Sequence, residues 1–239
     1  MGKKMRVQKR GKGGPAYRVI SHKFVTELKY KKVQETLRAV VTDLVHDPAR
    51  TSVLAEVTYD TPGFKEVDYL LAPEGIAVGD VVELGSQAPL RAGNVLPLEK
   101  IPAGMPAFNL ERIPGDGGRI ARASGSYALI VGKQERGVLI KLPSRKSLLL
   151  DPQCRATLGC SAGGGRVEVP FVKAGKKFYT TAAKNKLWPK VRGVKMNAVS
   201  HKHGGKQHHV GKSTTVSRNA RPGQKVGHIA ASRTGRKKR

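Results

Sequence analysis

The sequence predicts an all-β protein with long basic extensions, and three observations carry that expectation. Short runs rich in β-branched residues recur between chain breakers, no long helical period of 3.6 is present, and positive charge fills both ends of the chain. The β runs come in two series. The first holds Leu37–Val45 (LRAVVTDLV), 53–59 (VLAEVTY), 67–71 (VDYLL) and 76–84 (IAVGDVVEL), with breaks at Asp47-Pro48, Pro62-Gly63, Pro73-Glu74-Gly75 and Gly79-Asp80. Their partial alternation suits strands with one buried and one wet face, at the spacing of a small barrel or sandwich. The second series is 107–111, 127–131, 138–142, Ser147–Leu150 and a short run at 156–158. Turns at 114–118 (PGDGG), 124–126 (SGS) and Pro143-Ser144 separate its members. The stretch 85–106 between the series carries Pro and Gly landmarks and little pattern, and no tandem repeat is visible. The expected layout is a basic arm over 1–32, a first β module over 33–84, a linker and second β module over 85–188, and a basic extension over 189–239.

Charge narrows the function. The 239 residues hold 45 Lys+Arg against 17 Asp+Glu, a formal net charge of +28. A globule this far from neutrality repels itself, so a polyanionic partner is expected. The distribution is uneven: 1–32 is net +10, 33–100 is net −6, 101–170 is net +5 and 171–239 is net +19. The last of these segments contains no acidic residue at all. Such blocks act as interaction tails rather than as solvated faces. Beyond about Pro189 there are too few apolar residues for the chain to pack on itself. Extended, its last forty residues would reach on the order of 130 Å, far enough to thread a crevice closed to a globular domain.

Other classes fall away. No apolar run approaches the ~18 residues of a membrane span, and the tail lacks the amphipathic stripe of an interfacial helix. No apolar stretch follows the N-terminal charges, so no secretory signal is read, and Arg6 stands where a myristoylation motif wants Ser or Thr. Cys154 and Cys160 make no disulfide framework, and a reducing compartment is expected. Nucleic acid is the expected partner.

The candidate sites follow from that partner. The arm offers Lys3, Lys4, Arg6, Lys9, Arg10 and Lys12 to phosphates; the C-terminal part offers Lys184, Lys186, Lys190, Arg192, Lys206, Arg218, Arg221, Lys225, Arg233 and Arg236. Trp188, Phe178 and Tyr179 interleave with lysines, as in grooves that combine stacking with charge, although Trp188 could equally plug the base of the second module. Glycine loops at 11–14, 115–118 and 163–165 lack the phosphate-loop pattern of nucleotide hydrolases, but they let backbone approach RNA closely. Five of the seven histidines lie in the last 39 residues. They can stack on bases and donate to phosphates, while catalysis by His201 or His203 is the sharper alternative. The Cys154/Cys160 and His201/His203 spacings miss those of structural zinc, so no metal site is expected.

Specific motifs then carry a resemblance. Residues 191–205 (VRGVKMNAVSHKHGG), with Gly93-Asn94-Val95-Leu96-Pro97-Leu98, Phe108-Asn109-Leu110-Glu111, Pro114-Gly115-x-Gly117-Gly118, Ala121-Arg122-x-x-Gly125 and Cys154-Arg155-Ala156-Thr157-Leu158-Gly159, resemble the universal large-subunit ribosomal protein number two family in order and spacing. The ending, 216–220 (VSRNA), 227–230 (GHIA) and 233–236 (RTGR), resembles the archaeal and eukaryotic branch, and the short arm an archaeal member. The resemblance implies an OB-like barrel followed by an SH3-like barrel, with extensions buried in large-subunit rRNA. It implies assembly, contact with the small subunit, packing against neighbouring ribosomal proteins, and support of tRNA binding and peptide-bond formation in the cytoplasm. No cofactor is implied, with Mg2+ entering only through the rRNA. Arg119 and Arg122 match rRNA contacts, and the 201–205 loop would lie toward the peptidyl transferase region. Ser200 replaces the family's Asp before His201, which removes the partner an Asp–His pair would need, and Ala198 and Lys202 replace its prolines. Asp68 stands where bacterial members often carry a basic residue before an aromatic, in keeping with the acidic first module.

Overall fold

A computed structural model of the chain describes residues 4–32, 35–61 and 64–235. The described chain divides into two compact units: Ser21–Phe171 is one, and Met1–Ile20 with Val172–Arg239 the other.

The first unit is built on one sheet of ten strands. In chain order they are β1 (Leu37–Val45), β2 (Leu54–Thr61), β3 (Phe64–Leu71), β4 (Val81–Leu84), β5 (Val95–Pro97), β6 (Pro106–Phe108), β7 (Ala128–Gln134), β8 (Gly137–Lys141), β9 (Ser147–Leu150) and β10 (Arg155–Leu158). Their order across the sheet is β3-β2-β1-β4-β5-β10-β6-β7-β8-β9. The two predicted series are therefore the two halves of the sheet, and the last strand made, β10, joins them by pairing antiparallel with both β5 and β6. Hairpins β1–β2–β3 and β7–β8–β9 follow from alternation: Ala39, Val41, Val57 and Tyr59 point inward in the first, Ala128, Ile130, Val138 and Ile140 in the second. A register shift between Val41 and Asp43 makes Thr42 an extra residue in β1, so Asp43, which plain alternation would point inward, is exposed opposite Glu56.

Each half buries its own cluster. Tyr30, Val41, Val57, Tyr59, Leu70, Val82 and Leu84 fill the first; Leu96, Leu98, Ile101, Leu110, Ile130, Ile140 and Leu158 fill the second. Leu28, Leu54, Leu71 and Phe108 pack together as a third cluster. Burying each large side chain contributes about 1.5–3 kcal/mol. Cys154 is fully buried in the second cluster, as a small hydrophobe, and burial pushes its thiol up to about 11.

Two local differences from the sequence reading have plain causes. The run 76–84 starts as a turn: Gly75 and Gly79 adopt positive φ, and the Ala77 N–H donates to the Asp80 carboxylate, so only Val81–Leu84 is strand. Strand β5 lies within the patternless 85–106 stretch and exists because β10 and β4 pair with it.

The second unit has little regular structure: helix α1 (Arg6–Gly11), helix α2 (Ala174–Ala183), short 3-10 turns and the parallel pair β11 (Thr215–Val216) and β12 (His228–Ile229). Beyond Pro189 only Val216 and Val226 are buried apolar side chains among the described residues, with His203 buried as well, and backbone turns rather than a core hold the segment, as in Gly205 N–H to Met196 O and Ala230 N–H to Val216 O.

Candidate nucleic-acid interface

The motifs that looked functional in the β unit are largely structural. Glu111 is fully buried and accepts hydrogen bonds from the backbone N–H groups of Gly117 and Arg155 and from the Arg155 guanidinium at 2.9 Å. The same guanidinium donates to the Lys31 carbonyl at 2.6 Å and lies over the Tyr30 ring. Tyr30 donates to the Asn109 carbonyl, and burial raises its phenol pKa. Asn109 holds a positive φ, and a Cβ on Gly118 would collide with its carboxamide, so only glycine fits there. Asn94 ties strands by accepting from the Glu83 N–H and donating to the Pro89 carbonyl.

Arg119 and Arg122 part company within this frame. Arg119 is exposed. The Arg122 guanidinium donates to the carbonyls of Gly118 at 2.8 Å and Leu28 at 3.2 Å, and desolvation lowers its pKa. It braces the glycine loop. On the outer side of the first half, Asp43 pairs across from Glu56, and Glu56 accepts from the Tyr69 hydroxyl at 2.9 Å. On the inward-facing side, half-buried Asp68 stands opposite Val57 and accepts from Tyr59, and desolvation raises its pKa. This part of the sheet displays carboxylates.

The cations gather on the other unit. Lys4, Arg6, Lys9, Arg10 and Lys12 are exposed along and beside α1, whose start is fixed by the Met5 N–H donating to Gln8 at 2.8 Å. Lys186, Lys190, Arg192, Arg218, Arg221 and Arg233 are exposed as well, while Lys184, Lys206 and Lys225 are half-buried. Lys3 and Arg236 lie outside the described residues. Two parts of the sequence close this unit: the Asn185 carboxamide donates to the Ala16 carbonyl at 3.1 Å and also to that of Arg18. Helix α2 buries no residue, so Phe178 and Tyr179 stand exposed beside its lysines. Trp188 belongs to this unit rather than to the second β series, and Lys177 sits 5.6 Å over its ring.

The 191–205 motif forms a tight loop. Ser200 and His201 N–H groups donate to the Asn197 carbonyl, and the His203 N–H donates to His201 Nδ1 at 3.0 Å. Gly193 lies against the His201 ring and Gly204 against the Met196 and Asn197 carbonyls so closely that a Cβ on either would collide. The two imidazoles meet edge-on at 5.1 Å between centroids. Desolvation lowers both pKa values, and nearby His201, Lys202 and Lys206 push His203 further down. Among the described residues no group of three or more His, Cys, Asp or Glu side chains comes together to hold a metal ion.

Sequence reasoning missed Tyr17, Lys195 and Asn197. With Lys4, Arg6 and Lys9 they line a hollow of about 580 Å³ in the basic unit. The available signal was an aromatic between Pro15 and Arg18, but nothing local says that residues 17 and 195 line one hollow.

Fold and charge together define a β-rich polyanion-binding protein. The family model of the ribosomal protein L2 RNA-binding N-terminal domain matches residues 2–84, and that of the L2 C-terminal domain matches 91–226. The chain belongs to the ribosomal protein L2 family, in its archaeal form. It is 51% identical to a large ribosomal subunit protein uL2 of Methanococcus vannielii, over 99% of this chain and 100% of that one. It is 47% identical to the uL2 of Methanobrevibacter smithii over the full length of both, and 49% identical to that of Methanococcus maripaludis over 99% of this chain and 100% of the relative.

Proposed function

We propose that this chain is a structural constituent of the large ribosomal subunit that binds large-subunit rRNA. One observation carries the reading: the described parts of the acid-free segment, 172–235, and of the basic N-terminus, 4–20, belong to one unit whose cations are mostly on its surface. Such a surface binds by displacing the counterions condensed on RNA. The β unit, with its internally paired charges, serves as the rigid body that this surface anchors. Through that anchorage the chain supports subunit assembly, association with the small subunit and its rRNA, tRNA binding and peptide-bond formation near the peptidyl transferase centre. Within the stretch that matches an RNA-binding domain, the cations of the N-terminus suit RNA, and the carboxylates on β1–β3 suit contact with neighbouring proteins. The protein works in the cytoplasm as part of the ribosome, and no helix among the described residues is long and apolar enough to cross a membrane.

The test is a salt titration of the full chain on large-subunit rRNA, with duplex DNA of equal mass as competitor. Contact with ~10 phosphates gives a slope of log K against log salt of about −7 to −9. A slope near −2, or equal preference for the duplex, overturns the reading.

One observation favours direct His-assisted peptidyl transfer as a second reading: His201 and His203 are both biased toward the neutral imidazole, the form that accepts a proton. His201→Gln and His203→Gln, each in otherwise intact subunits, decide it, since unchanged peptide-bond rates in both remove chemistry from this chain.

A further inference from the structure

Charge alone does not explain the hollow in the basic unit. It is a half-open hollow of about 580 Å³, within the ~300–1,000 Å³ range of small-molecule sites, whereas contact with a duplex backbone needs only a flat surface. Lys4, Arg6, Lys9 and Lys195 supply four cations around it, and no carboxylate lines it. Val191 and Met196 give it an apolar wall, which they share with an adjoining hollow of about 320 Å³. Phosphates gain nothing from an apolar wall, but the face of a base does.

Tyr17 supplies the second element. It ends the 3-10 turn Pro15–Tyr17, and its side chain is about one-third exposed (36%). Its backbone is fixed from both sides. The Tyr17 N–H donates to the Gly14 carbonyl at 2.9 Å, and the Arg18 guanidinium donates to the Gly13 carbonyl at 2.7 Å. Asn185 holds the neighbouring Ala16 and Arg18 carbonyls. A ring carried on a backbone held this way has only its own side-chain rotations to lose on stacking. Asn197 also lines the hollow, and its carboxamide offers a donor and an acceptor of the kind that read a base edge.

We propose that this hollow seats one unstacked nucleotide of large-subunit rRNA, its base against Tyr17 and the apolar wall and its flanking phosphates among Lys4, Arg6, Lys9 and Lys195. The proposal rests on the rRNA-binding reading above and makes it specific: the basic unit reads a splayed single-stranded position, not only a run of phosphates. Single-stranded sites are where proteins meet base faces in RNA, because the stacked interior of a duplex hides them.

The experiment uses the full chain and protein-free large-subunit rRNA, probed base by base with dimethyl sulfate and a carbodiimide. Wild type and Tyr17→Phe should protect the same unpaired base. Tyr17→Ala should leave that base reactive and weaken binding about 5- to 150-fold, the range that stacking one base contributes, with the salt slope unchanged. Lys9→Ala and Lys195→Ala should each flatten the slope by about one and leave the protected base in place. If Tyr17→Ala binds and protects like wild type while the lysine variants weaken binding, the hollow is a phosphate track, and the nucleotide seat is wrong although the rRNA reading stands. If wild type shows no preference for the rRNA, the underlying reading fails instead. Tyr17 is not part of a buried core, so a folding defect is not expected, and unchanged circular dichroism of Tyr17→Ala checks this.

Discussion

The two units of this chain reach order by opposite routes. In Ser21–Phe171 the apolar clusters are continuous with the sheet, and the buried charges are paired inside: Glu111 with Arg155, Asp47 with Arg50. In the other unit Val216 and Val226 are the only buried apolar side chains among the described residues. Its order comes from backbone turns and close glycine contacts around exposed cations. The first unit carries its stabilising contacts within itself. The second leaves its strongest interaction, with counter-charge, to be supplied from outside, and that is why the same polypeptide can be a rigid anchor in one part and a responsive surface in another.

The largest expected effect tests the internal pairing. Glu111→Ala leaves the half-buried Arg155 guanidinium and three backbone donors without their buried acceptor, and removal of one partner of a buried ion pair costs about 3–5 kcal/mol. Denaturant unfolding of the full chain should show this loss in the β signal. A loss below about 1 kcal/mol would mean that water reaches the site and that the first unit is less self-contained than its packing indicates.

A smaller effect separates neighbouring arginines. Arg122→Ala removes two charge-assisted bonds to carbonyls and should destabilise the β unit by about 1.5–3 kcal/mol. Arg119→Ala should leave stability unchanged and flatten the salt slope of rRNA binding by about one. If Arg122→Ala instead matches Arg119→Ala in both measurements, the glycine loop does not need its brace and both arginines belong to the RNA surface.

The smallest effect concerns pH and falls on the basic unit alone. His201 and His203 have folded pKa values below the ordinary value of about 6.5. Between the folded and unfolded values the unfolded loop binds more protons, so stability of the 196–205 loop is full above about 6.5 and declines as pH falls through and below it. Amide exchange in this loop, corrected for its intrinsic pH dependence, should show lower protection at pH 5.5 than at pH 7.5, with β7–β8 amides unaffected. Equal protection at both values would show that the histidines are not coupled to loop order.

Much of the first unit was legible because its signals are local. Leu37–Val45 and Ser147–Leu150 were bounded by sequence alone, since alternation and flanking breakers fix them residue by residue. Strand β5 was not, because its three residues gain strand geometry only from β4 and β10. Helix α2 was also hidden: its stripe of Ala174, Phe178 and Ala182 spans only ten residues and buries none of them, too short a period to stand out among the lysines. For the site, the charge map showed that both ends of the chain are basic, but it could not separate Arg122 from Arg119, or place Tyr17 and Lys195 around one hollow. Those distinctions depend on which carbonyls and side chains meet across long stretches of sequence.

The place of β10 has a consequence for how the protein is made. β10 pairs with both β5 and β6, so the two halves of the sheet stay unjoined until residue 158 has been synthesised. Roughly sixty residues separate the end of β5 from β10, several seconds at a translation rate of about 5–20 residues per second. Throughout that interval the nascent chain presents unfinished strand edges, which invite pairing with other chains. The basic first twenty residues are already made, and the 172–235 segment with which they fold is not. A newborn copy thus has its most adhesive surfaces uncovered at the moment when it is surrounded by RNA.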